Sequence, residues 1–177
     1  FSRMLVGSRQ TLLVGVLATM IGLIGGLILG ITAGAFGGWV DTVIMRIVDV
    51  MLSIPSLLLA ISIAVLFANP SLTSVIIAVA VVQIPVFARL LRGQMLAQRE
   101  SDHVLAARAL GVKRGAIVFR HMVPNSLSPV IVQATLVIAT SIIDAAALSF
   151  LGLGSQNVSE SEWGQMLGEA QNVIDSH

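Results

Sequence analysis

The sequence predicts an all-α integral membrane protein, a polytopic helical bundle with about four spans. Three observations lead there. Of 177 residues, 56% are hydrophobic and only 11% charged, against about 25% charged in a soluble domain. The mean hydropathy is +0.96. Asp, Glu, Lys and Arg are absent from three long runs: 31 residues at 10–40, 39 at 50–88 and 23 at 121–143. A crossing helix needs about 20 apolar residues. Lipid offers the backbone no hydrogen bond, so each run is helical where it crosses. The composition excludes a disordered chain, and the absence of cysteine excludes a disulfide-built one. A net charge of +1 makes no electrostatic case for nucleic acid. By length the chain is one membrane domain.

The first span is expected at about 11–36. It carries Gly22, Gly26, Gly30 and Gly34, a repeat of four that opens a groove along one helix face for close helix packing. The 39-residue run is too long for one helix, and Asn69-Pro70 followed by Ser71 marks a turn within it. Two spans, about 44–67 and 72–92, then form an antiparallel hairpin. Pro55 and Pro85 are expected to kink them, and Gln83 to hydrogen-bond across helices. Arg46 and Asp49 stand three apart on one helix face, which suits an ion pair. The fourth span is expected at 126–150. In the tail 151–177, Trp163, Met166, Leu167, Ala170 and Ile174 recur at helical spacing, as in an amphipathic helix that lies on the outer surface or packs on the bundle. Glu160 and Glu162, in a polar stretch, read as a solvated face.

Orientation follows from the basic residues. The stretch 89–121 holds seven of the ten, namely Arg89, Arg92, Arg99, Arg108, Lys113, Arg114 and Arg120, and is therefore expected in the cytoplasm. Four spans then put 37–43 inside and the 68–71 turn, both chain ends and the acidic tail outside.

The loop 93–123 is too long for a plain helix connection, which takes about 2–8 residues. It has helix punctuation: Ser101 as a cap, Asp102 in the first turn and Gly111 as terminator. Between them Ala106, Ala107 and Ala109 are strong, thin helix formers. A short helix of this kind suits a partner's groove, although a positive-inside loop with incidental helicity has the same composition. A second helical stretch, 116–122, leads to Pro124, where the next span is expected to begin.

The residues of this loop, VLAARALGVKRGAIVFRHMVPN, resemble the cytoplasmic EAA loop of binding-protein-dependent ABC importer permeases. Ala106, Ala107, Gly111 and Pro124 match that motif in spacing, while Leu105 stands where the motif has Glu. FGGWVDTVIMRIVDVMLSIPSLLLA (36–60), ARLLRGQML (88–96), RHMVPNSLSPVIVQATL (120–136), LSFLGLG (148–154) and WGQML (163–167) are similar to the C-type subunit of the dipeptide/oligopeptide and nickel group. The resemblance implies a six-span permease of which this chain is a fragment holding the second to fifth spans. It further implies a second homologous permease subunit, two ATP-binding subunits docked at Val104, Leu105, Ala106, Ala107, Ala109, Gly111 and Pro124, an extracytoplasmic substrate-binding protein, and an inner-membrane location. On this reading closure of the ATP-binding subunits pushes on the 101–111 helix and switches the pathway between its two faces. ATP and Mg²⁺ belong to those partners. The chain has no GxxxxGK[ST] loop, nor GxSxG, HExxH or GxGxxG, and is not itself an enzyme.

Asp144, in the run SIIDAAAL, must face protein, water or a partner. With Gln83 and Pro55 it makes up the candidate translocation pathway; a structural ion pair, or snorkelling to the outer interface, is the plainer account of it. His103, His121 and His177 are scattered, and no metal site is expected. The rival reading, a stand-alone secondary transporter or channel subunit, needs intramembrane ionisable residues for ion coupling, and only Asp144 qualifies.

Overall fold

The computed structural model describes residues 2–67, 69–155 and 162–175. Glu160 and His177 lie outside these residues, as does the side chain of Ile174. Among the described residues the chain is all helix: α1 (Ser2–Phe36), α2 (Gly38–Ser53), α3 (Ser56–Val65), α4 (Leu72–Arg99), α5 (Asp102–Ala109), α6 (Arg114–Ile117), a π segment (Val118–Met122), α7 (Val123–Phe150) and α8 (Trp163–Asp175). Three helical runs are long and apolar enough to cross a membrane, or four if the bent pair α2–α3 is one span.

Two departures from the expected spans have a proline cause. The second span is not one helix over 44–67. Pro55 sits at φ −53° and ψ 132°, outside the α region, and cannot donate a backbone hydrogen bond. The chain bends by 97° between α2 and α3. Pro85, expected to kink its span, lies inside an α4 that runs unbroken from Leu72 to Arg99. Pro124 does not start a helix either, because helix is continuous from Arg114 to Phe150. Inside a helix a proline ring collides with the carbonyl four residues back, here that of Arg120. The turn holding that carbonyl is widened to π geometry, which makes room for the ring.

The chain comprises two compact units. The first contains residues 1–22, 54–83 and 136–177. Its core gathers Val14 and Ala18 of α1, Ala60 and Ala64 of α3, Val75, Val79 and neighbours of α4, and Ala145 and Leu148 of α7. Small residues predominate, as expected where helices gain by close packing and not by escape from water. A Cβ on Gly22 would lie 2.9 Å from the carbonyl oxygen of Ala80 and from Cβ of Gln83. The Thr19 hydroxyl bridges to Ser141 of α7 at 3.3 Å. α7 ends in a Schellman turn: Gly152 takes φ +80°, and the N–H of Leu153 reaches the carbonyl of Leu148 at 3.1 Å.

The tail helix α8 packs on α7 by glycine. A Cβ on Gly164 would collide with the Ala146 backbone. Trp163 and Leu167 of its apolar stripe are 44% and 62% exposed. The Trp163 backbone N–H donates to Oγ1 of Thr11 and its indole N–H to the carbonyl of Met4, both at 3.2 Å.

The second unit contains residues 23–53 and 84–135. Here α1 and α4 are again in glycine-mediated contact. A Cβ on Gly26 would collide with Phe87, one on Gly30 would lie 3.0 Å from Cβ of Leu91, and one on Gly34 2.9 Å from Cβ of Met95. The partners recur every four residues in step with the glycines, so α1 and α4 run parallel. Two arginines of α4 tie down α2. Arg92 donates from Nε to Asp41 at 2.9 Å and again from Nη2, and Arg89 pairs with Asp49. The expected Arg46–Asp49 pair is thus replaced by a pair between helices. The three-residue spacing allowed a local partner, and packing of α2 on α4 supplied another.

Candidate functional site

The second unit holds the loop singled out by sequence. α4 runs on to Arg99, so the connection is shorter than 93–123. Ser101 occupies the N-cap position of α5 but does not cap it; its hydroxyl donates backward to the carbonyl of Gln98 at 2.5 Å. α5 stops at a Schellman turn. Gly111 takes φ +75°, its N–H reaches the carbonyl of Arg108 at 2.9 Å, and the N–H of Val112 reaches that of Ala107 at 3.1 Å. Nothing lies within 4 Å of a Cβ added at Gly111. Backbone conformation, not lack of space, calls for glycine there.

α5 has two faces. Val104 and Ala107 are buried, at 0% and 7% exposure, and α5 packs against α6 and the π segment. Leu105, Ala106, Arg108, Ala109, Leu110 and Gly111 are exposed, with Leu110 at 83%. Of the residues expected at the docking surface, Val104 and Ala107 are covered by their own chain, and Leu110 stands beside the others on the uncovered face. The Cβ positions at 104 and 107 share one side of a helix, but a sequence of small residues does not say which side is covered. Pro124 is exposed at the other end of the loop.

His103 and His121, apart in sequence, meet with ring centroids 6.5 Å apart. Asn125 Nδ2 lies 3.4 Å from Nε2 of His103 and donates to the carbonyl of His121 at 2.6 Å. Among the described residues no three metal-ligating side chains come together.

The three pathway candidates stand on different elements. Asp144 is half-buried on α7, and Pro55 is exposed at the α2–α3 break. Gln83 is only 5% exposed and packs beside Gly22. Glu162, read as solvated, is 1% exposed. It accepts the Ser149 hydroxyl, a partner thirteen residues away that local polarity does not reveal.

The sequence matches, over residues 26–174, the model of a family described as the binding-protein-dependent transport system inner membrane component. The chain belongs to that family. It is 48% identical to the dipeptide transport system permease protein DppC of Alkalihalophilus pseudofirmus, over 99% of this chain and 57% of that protein. It is 46% identical to the probable D,D-dipeptide transport system permease protein DdpC of Escherichia coli, over 98% and 58%. It is 42% identical to the glutathione transport system permease protein GsiD of Pectobacterium atrosepticum, over 100% and 59%. This inner membrane component therefore spans a little under three fifths of the length of these curated relatives. Among solved structures its fold is similar to a chain of the MetNI methionine ABC transporter in inward-facing conformations. The TM-score is 0.75 at 19% identity, covering 98% of this chain and 89% of that one. A chain of an amino acid ABC transporter with histidines gives 0.70 at 17% identity, over 98% and 87%.

Proposed function

We propose that this inner membrane component is the spanning core of a permease subunit in an ATP-driven importer of di- and oligopeptides. It pairs with a second homologous permease subunit, takes substrate from an extracytoplasmic binding protein and is driven by two ATP-binding subunits, which hold the ATP and Mg²⁺. The observation that carries this reading is the two-faced α5. Its inner face is anchored by Val104 and Ala107, and its outer face offers Leu105, Ala106, Ala109 and Leu110 as a thin apolar strip. A helix anchored on one side and free on the other suits docking into a groove. Its contact with α6 and the π segment, which continue into α7, gives a pushed α5 a rigid route into a span. Similarity to two dipeptide permeases supports the peptide class. The exposed Trp163 and Leu167 of α8 suit contact with the binding protein.

The test uses the absence of native cysteine. Ala106→Cys in the full-length protein, in native membranes, is cross-linked from the cytoplasmic side and the attached protein identified. An ATP-binding subunit captured in a nucleotide-dependent way is expected. Free labelling with no such capture, while uptake continues without ATP, would put the secondary-transporter reading in its place. Ala107→Cys, 7% exposed at the native residue, serves as the unreactive control.

A further inference from the structure

We infer that the second unit carries a binding site for an anionic phospholipid of the inner leaflet, at the junction of α1, α4, α5 and α6. A cavity of about 420 Å³ there is lined by Arg99, Arg108 and Arg114, and no carboxylate lines it. This size suits a small polar ligand, since ligand cavities run from about 300 to 1,000 Å³. Arg114 donates to the carbonyls of Ala35 and Phe36, at 2.5 and 3.1 Å. Arg99 lies beside Gly37, its Nη1 being 3.5 Å from where a Cβ would stand. Two of the three guanidinium groups thus sit at the C-terminal end of α1. That end carries only about half a negative charge, which cannot neutralise three cations. Among the described residues neither Arg99 nor Arg108 is in an ion pair with a carboxylate.

A second observation selects a lipid over a free anion. An apolar cavity of about 320 Å³ adjoins the first, shares Ala35, Arg114 and Val118 with it, and is further lined by Ile31, Phe36 and Phe119. Phe36 and Phe119 are each 66% exposed, so this cavity opens to the surroundings along apolar residues. One molecule with a phosphate at one end and an acyl chain at the other fills both. The positive-inside expectation puts the arginines at the cytoplasmic interface, where anionic headgroups are available and each basic residue contributes about a fivefold gain in affinity.

The experiment uses the full-length protein, in the assembly in which it purifies, embedded in nanodiscs of equal phosphatidylglycerol and phosphatidylcholine. Lipids retained after detergent washing are counted by native mass spectrometry. Phosphatidylglycerol is expected to be retained preferentially. Arg99→Gln and Arg108→Gln are each expected to weaken retention about fivefold and the pair about twenty-five-fold, while Arg99→Lys with Arg108→Lys keeps most of it. Gly115→Leu fills the apolar cavity without meeting any atom within 4 Å at Cβ, and is expected to lower lipid retention with all three arginines intact. Equal retention of both lipids, or no response to the paired Gln variant, would overturn the proposal. Displacement by inorganic phosphate alone, with Gly115→Leu silent, would assign the cavity to a free anion and overturn it equally. So would a paired Gln variant that loses only its ATP-binding subunit. None of these readouts depends on what the assembly transports.

Discussion

Glu162 is a carboxylate placed where water does not reach. The Ser149 hydroxyl donates to Oε1, and Oε2 has no partner among the described residues. Burial raises the carboxyl pKa above its usual 4.5, and the Ser149 bond opposes this in part. The folded state therefore holds the proton more tightly than the unfolded one. Stability from this group is fully present below pH 4.5 and is lost as pH rises through the folded-state value. Glu162→Gln is expected to melt higher than the native protein at pH 7, the two curves converging as pH falls toward 4.5; an unchanged or lower Tm at pH 7 would refute this. Gly111 permits a complementary test. At φ +75° with open space around it, Gly111→Asn is expected to preserve α5. Gly111→Val is expected to lose about 1–2 kcal/mol and with it partner capture through Ala106→Cys. Equal behaviour of the two variants would show that side-chain bulk, not backbone conformation, decides. Gly111 was legible in the sequence because a C-terminal glycine signal is local. Glu162 was not, because its burial is made by α7.

Between helices the same division holds. The repeat Gly22, Gly26, Gly30, Gly34 announced a close approach, but nothing in α1 names the helix that approaches. The answering ridge on α4 consists of Gln83, Phe87, Leu91 and Met95, which as a sequence pattern is an ordinary apolar face. Gly26→Ala is expected to destabilise by about 1–3 kcal/mol, because the added methyl meets backbone atoms of α4 as well as Phe87. Gly93→Ala, with nothing within 4 Å, is expected to be silent; thermal melts in detergent compare them. The pair Asp41–Arg92, with side chains 14% and 31% exposed, escaped sequence reading because 51 residues separate the partners. Asp41→Asn is expected to cost about 2 kcal/mol, with partial recovery when Asp41→Arg is combined with Arg92→Asp. Without any recovery, Asp41 would act through something other than Arg92.

For the whole chain, composition alone established helices in a membrane. Charge-free runs of this length are too apolar for water, and in lipid a single segment satisfies its own backbone only as a helix. Their course is fixed by packing. Because α1 and α4 run parallel, the bent pair α2–α3 is expected to be one broken crossing and not a re-entrant loop. Trp39→Cys and Asn69→Cys are therefore expected to react with an impermeant reagent from opposite sides of the membrane. Labelling from one side would make the pair re-entrant.

The π segment Val118–Met122 gives this course an unusual tolerance. A π turn is an α-helix with one residue inserted. Removing a residue from most of a helix turns everything beyond it by about 100° and exchanges buried faces for exposed ones. Removing Phe119 converts the wide turn to an α turn and leaves both flanks facing as before. Combined with Pro124→Ala, which removes the ring that the wide turn accommodates, such a deletion is expected to insert and melt nearly as the native protein does, while deletion of the buried Val137 does not. The loop-to-span junction is thus a place in this long helix where chain length is expected to change without turning the residues beyond it.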